Sequence, residues 1–68
     1  MEYHVEMKHG EVLVVQAHLF DAWLRRTGER ASYNAAARAG QLQRYLLAHK
    51  ADLRGPCIVR DWTMEEAD

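Results

Sequence analysis

The chain opens on a strict alternation, with Tyr3, Val5 and Met7 apolar and Glu2, His4, Glu6 and Lys8 polar. A period of two is the pattern of a strand that buries one face, so a first strand is predicted here. Glu11 to Gln16 forms a second run rich in β-branched residues. His9-Gly10 between the runs predicts a hairpin with a two-residue loop, the glycine supplying a positive φ. That loop length sets the register, placing Met7 opposite Val12, Val5 opposite Val14 and Tyr3 opposite Gln16. The predicted core face then carries Tyr3, Val5, Met7, Val12 and Val14. Leu13 and Val15 fall on the other face, where two apolar residues need a cover.

From Ala17 to Arg26 the apolar residues Leu19, Phe20, Trp23 and Leu24 recur at helical spacing. Arg25 and Arg26 suit the negative end of that helix, and Gly28 suits the left-handed position that stops it. Ser32 is the expected N-cap of a second helix running to about Arg54. Its stripe is Ala35, Ala39, Leu42, Tyr45, Leu46, His49 and Leu53, beside a strip of small residues at Ala36, Ala37 and Gly40. Gly55-Pro56 ends it, since proline lacks a donor and disfavours helix in the residue before it. Cys57 to Trp62 reads as a third strand, with Cys57 and Val59 on one side and Ile58, Arg60 and Trp62 on the other. The order ββααβ predicts an α+β domain over residues 1–63, its helices packed on one face of a three-stranded antiparallel sheet. Residues 64–68 read as an acidic mobile tail.

Composition limits what such a domain does. A length of 68 residues allows one core and no second domain, and 49% hydrophobic with 28% charged residues describes a chain that folds. Cys57 is the single cysteine, so no internal disulfide forms and a reducing compartment is expected. The first residues lack the pattern of a secretory signal, and Val12 to Val15 is as long as any uninterrupted apolar run. No membrane association is expected, and the location expected is cytoplasmic. Arginine outnumbers lysine seven to two and alanine is abundant, a bias that fits a GC-rich bacterial or phage genome and hence a bacterial host cell. A core this small is usually supplemented by a metal, a disulfide or a partner, so a homodimer is expected.

Catalytic chemistry has few candidates. Cys57 with a histidine would make a nucleophile and base, yet one cysteine at the start of a strand reads more simply as a small buried residue. His4, His9, His18 and His49 show no metal-ligand spacing, and the four glycines are isolated, which leaves no phosphate loop. No catalytic, metal or cofactor-binding residue is assigned, and the protein is read as a non-enzyme without a cofactor.

Charge and aromatic residues point to binding. From Arg25 to Arg60 there are eight basic residues against Glu29 and Asp52, whereas both ends of the chain are acidic. One reading puts Arg38, Gln41 and Arg44 of the second helix, with Arg30, against nucleic-acid phosphates. The plainer reading is a solvated face balanced by the acidic tail, and it is preferred because the pI is near 6.4. Trp23, Tyr45, Phe20 and Tyr3 lie on core stripes. Leu13, Val15, Tyr33 and Trp62 are left over, and aromatic residues with arginine dominate binding hot spots. Arg60 with Trp62, and Arg30 with Tyr33, are therefore the expected anchors for another protein, unless Leu13, Val15, Ile58 and Trp62 form a homodimer seam. The expected function is a non-catalytic protein–protein interaction module, of the kind that small phage or bacterial inhibitors use to modulate a larger machine. An anti-defence protein such as an anti-CRISPR is one instance. The alternative is a small nucleic-acid-binding regulator that uses the second helix.

Overall fold

A computed structural model describes residues 1–66. Its elements run β1 (Glu2–Met7), β2 (Val12–Gln16), α1 (Ala17–Arg26), α2 (Ala35–Ala48) and β3 (Val59–Glu65). The three strands form one antiparallel sheet in the order β2-β1-β3, with both helices on one face, as the sequence predicts. β1 is central, so each of its inward residues meets a partner on both sides. Tyr3, Val5 and Met7 are accordingly among the most buried residues, with Phe20, Leu24, Leu42 and Leu46 from the helices above them.

The hairpin register differs from the expected one by a single residue. Met7 N–H donates to Glu11 O at 2.7 Å and Gly10 N–H donates to Met7 O at 2.9 Å, so the loop contains Lys8, His9 and Gly10. Gly10 has φ of +99°, the conformation a three-residue hairpin loop requires at its last position. Val5 therefore pairs with Leu13 and Tyr3 with Val15. Because side chains alternate, the shift by one turns the whole strand over. Val15 is buried and Leu13 packs against the core, whereas Val12 and Val14 are 58% and 56% exposed. The expectation that Leu13 and Val15 form an outward patch is corrected on this ground.

α1 spans the expected residues and buries Ala17, Phe20 and Leu24, while Leu19 from the predicted stripe is exposed. It ends as predicted at Gly28, with φ of +83°, where Gly28 N–H meets Arg25 O and Glu29 N–H meets Leu24 O. α2 is shorter than expected at both ends. Its N-cap is Asn34, whose side chain accepts from Ala37 N–H at 3.0 Å, and Ser32 instead accepts from Asn34 N–H. At the far end Lys50 N–H meets Leu47 O and Ala51 N–H meets Leu46 O, the same two-bond closure that stops α1. Lys50 takes the left-handed position at φ of +50°, where no glycine marks it in the sequence. The chain has left the helix before Gly55-Pro56.

Residues 49–58 fold back onto the hairpin. Glu11 accepts from Arg54 N–H at 2.9 Å and lies 2.7 Å from His9 Nε2, and Lys8 N–H donates to Ile58 O at 2.8 Å. A Cβ at Gly55 would lie 2.8 Å from the His9 ring, so glycine permits this approach. β3 then pairs with β1 through an irregularity, Met7 facing Val59 and Glu6 facing Asp61, which leaves Arg60 as an extra residue. That bulge brings Val59, Trp62 and Met64 all to the core side. The expected division of this strand, with Trp62 opposite Val59, is corrected by it. Met64 and Glu65, placed by the expectation in the tail beyond residue 63, belong to β3, where they pair with Tyr3 and Glu2. Ala67 and Asp68 of the expected tail lie outside the described residues. No helix of the described residues is long and apolar enough to cross a membrane.

Candidate functional site

The nine residues expected to contact a partner or nucleic acid separate cleanly by position. Leu13 and Val15 belong to the core. Trp62 also turns inward, where its ring meets Tyr3 edge to face at 5.5 Å and its Nε1 donates to Ala35 O at 2.9 Å. Trp62 therefore joins β3 to the start of α2. Arg60, at the bulge, stays exposed and lies 3.4 Å from Glu6 on the outer sheet face.

Arg38, Gln41 and Arg44 follow one another at three-residue spacing along α2. A helix brings such positions onto one side. That side faces the chain between the helices, and all three side chains are spent on holding it. Gln41 accepts from Ser32 N–H at 2.9 Å, and its amide donates to Arg30 O at 2.9 Å and to Glu29 at 3.2 Å. Arg44 clasps both oxygens of Glu29 at 2.7 and 2.8 Å and lies over the Trp23 ring. Arg38 donates from Nε to Ser32 O at 2.7 Å, with its guanidinium 5.0 Å from the Trp62 ring centre. The Arg44 guanidinium, and Gln41 after it, hold the Glu29 carboxyl below its ordinary range. These bonds use the charged donors of arginine and the paired donor and acceptor of an amide, and they tie Glu29, Arg30 and Ser32 to α2.

What that loop displays is Tyr33, which is fully exposed at 100%. Beside it lies an open cleft of 440 Å³ lined by Asp21 and Arg25 of α1 together with Glu29, Arg30, Ala31 and Tyr33. The structure thus brings the expected pair Arg30 and Tyr33 to one place and adds Asp21 and Arg25, which the sequence reading did not single out. Their signal was present: Asp21 and Arg25 are four apart on a helix and share a face.

Two other places hold titratable groups. On the outer sheet face His4 Nε2 lies 3.0 Å from Glu2 and 3.5 Å from Glu65, and the bond to Glu2 raises the imidazole pKa. Cys57 is half-buried, with Sγ 3.7 Å from Gln43 O, and burial pushes its thiol up, opposite to the direction that activates a nucleophile. Among the described residues no group of three or more metal-ligating side chains converges. The chain matches no known family model, no curated protein and no solved structure.

Proposed function

We propose that this protein is a non-catalytic protein-binding module that engages its partner through Tyr33 and Arg30 on the loop between α1 and α2. The observation that carries this reading is a fully exposed tyrosine on a loop whose backbone is pinned through three hydrogen bonds by two side chains of the following helix, Gln41 and Arg38. A large aromatic side chain left in water gains most by burial at an interface. A backbone held in advance lowers the ordering cost of that burial. Arginine and tyrosine side by side are the residue types that dominate binding energy when buried by a partner. The biological role we assign is that of a small phage or bacterial modulator, which occludes a site on a larger protein machine in the cytoplasm.

The test is affinity capture from bacterial lysate after nuclease digestion, with wild type and Tyr33→Ala as parallel baits. A defined protein retained by wild type and lost by Tyr33→Ala, with both baits equally folded by circular dichroism, supports the reading. Retention of the same protein by both baits removes Tyr33 from the site. Recovery of nucleic acid alone before digestion, with nothing after it, replaces the reading by the nucleic-acid one.

A further inference from the structure

The two open edges of the sheet are unlike. In the β1–β2 ladder Met7 bonds Glu11 and Ala17 N–H bonds Met1 O, so the odd-numbered β2 residues exchange hydrogen bonds with β1. The backbone N–H and C=O of Val12 and Val14 therefore point away from the sheet, and no other hydrogen bond among the described residues reaches them. Their side chains are the exposed valines of the outer face. β3, at the opposite edge, is guarded. Arg60 bulges out of its ladder, and Asp61 caps the Trp62 N–H with its own carboxylate at 2.8 Å. Bulges and charged residues are how proteins stop an edge from pairing, and β2 has neither.

We propose that β2 pairs antiparallel with β2 of a second copy of this chain, which joins two three-stranded sheets into one of six strands about a two-fold axis. A strand edge selects a strand as occupant, because only an extended backbone satisfies donors and acceptors at this spacing. The absence of charge along the edge permits a second copy. A two-fold contact sets each patch against itself, so it tolerates only a patch without net charge. Residues 12–20 contain no aspartate, glutamate, lysine or arginine. β3, with Arg60, Asp61 and Glu65, offers no such stretch. The same nine residues hold three of the seven exposed large hydrophobic side chains among the described residues, Val12, Val14 and Leu19. Pairing sets the valines of one copy against those of the other on the outer face, and β-branched cross-strand neighbours are favourable partners. The dimer does not depend on the Tyr33 reading and would display two such loops.

Light scattering over a dilution series, together with hydrogen exchange at single amides, tests this. A concentration-dependent dimer is expected, with the Val12 and Val14 amides slowing in exchange as it forms. Val14→Lys puts a charge on the edge at an exposed position and is expected to raise the dimer dissociation constant by about tenfold or more with the circular dichroism unchanged. A monomer at every concentration overturns the proposal. So does a dimer that leaves Val12 and Val14 exchanging freely, or one that Val14→Lys does not weaken, since either would use another surface.

Discussion

Replacing Gln41 with alanine removes three hydrogen bonds at once, and all three end on the loop that carries Tyr33. The amide accepts from Ser32 N–H and donates to Arg30 O and Glu29. A hydrogen bond that replaces water contributes about 1 kcal/mol net. The three sum to about 3 kcal/mol, and about 2 kcal/mol is the better figure because Gln41 is half-buried and water reaches part of the site. The helix itself is untouched, since alanine is the best helix former. The loss therefore appears as local opening of residues 29–33 rather than as global unfolding. Hydrogen exchange at the Ser32 amide reads this directly, and about 2 kcal/mol corresponds to roughly thirtyfold faster exchange. Gln43→Ala is the control: Gln43 accepts from Val59 N–H, so its removal is expected to free Val59 and leave Ser32 protected. Unchanged Ser32 exchange in Gln41→Ala would refute the claim that the loop is held by α2, and the argument from a preformed loop would go with it.

The remaining predictions concern stability. Val15→Thr buries a hydroxyl among apolar side chains and is expected to cost about 1–3 kcal/mol, whereas Val14→Thr on the outer face stays within about 0.5 kcal/mol. Urea unfolding of both at a concentration where the chain is monomeric decides the register, and equal losses would refute it. Lys50→Gly relieves a left-handed backbone and is expected to stabilise by about 0.5–1 kcal/mol after the entropy of glycine in the unfolded chain is counted, seen as a rise of a few degrees in Tm; a fall would mean that Lys50 is not in that conformation. The pH dependence has two limbs. Glu29, lowered by Arg44 and Gln41, and Glu11, lowered by the Arg54 amide and His9, add stability above their ordinary pKa of 4.5 and lose it as pH falls through their folded values. His4, raised chiefly by its bond to Glu2, adds stability below 6.5 and loses it as pH rises through its folded value. Urea midpoints are therefore expected to be highest between about pH 4.5 and 6.5, with Glu29→Gln flattening the acid limb and His4→Asn the basic one.

Much of the fold could be read from the chain because its elements are periodic over enough residues. α1 and its glycine stop, the alternation in β1 and the order of elements all follow from spacing. The register of β2 does not, because Val12-Leu13-Val14-Val15 is apolar on both parities. Gln16 argues for one phase and Glu11 for the other, so only the loop length decides, and two- and three-residue loops both accommodate a glycine. β3 carried a readable clue, since Val59 falls out of step with the regular alternation of Trp62 and Met64 against Asp61, Thr63 and Glu65. That break in phase is the bulge. The end of α2 carried none, because Lys50 occupies a position that composition assigns to glycine. At the candidate site Arg30 and Tyr33 were legible as unplaced hot-spot types. The roles of Arg38, Gln41 and Arg44 were not, because a polar helix face has the same sequence whether it meets a ligand or its own loop.

That last ambiguity bears on how the protein attracts a partner. The basic middle of the chain suggests a single cationic surface, but the structure spends part of that charge internally, Arg44 on Glu29 and Arg60 on Glu6. Arg25 and Arg30 both line the Tyr33 cleft, where Asp21 is the only acid not already held by an arginine. The cleft therefore has a small excess of positive charge around an aromatic anchor, which gives the two parts different kinetic duties. Exposed charge steers the encounter and is screened by salt, while the buried anchor holds the complex together. Arg30→Glu is expected to slow association with the captured partner several-fold at low salt, with the difference shrinking as salt rises and dissociation changing little. Tyr33→Ala is expected to speed dissociation, with association nearly unchanged, because differences among variants of one interface lie mostly in the off-rate. Surface plasmon resonance at two ionic strengths separates the two. If Arg30→Glu changed only dissociation, in a way that salt did not alter, Arg30 would be a buried contact rather than a steering charge, and the partner would have to close over the cleft.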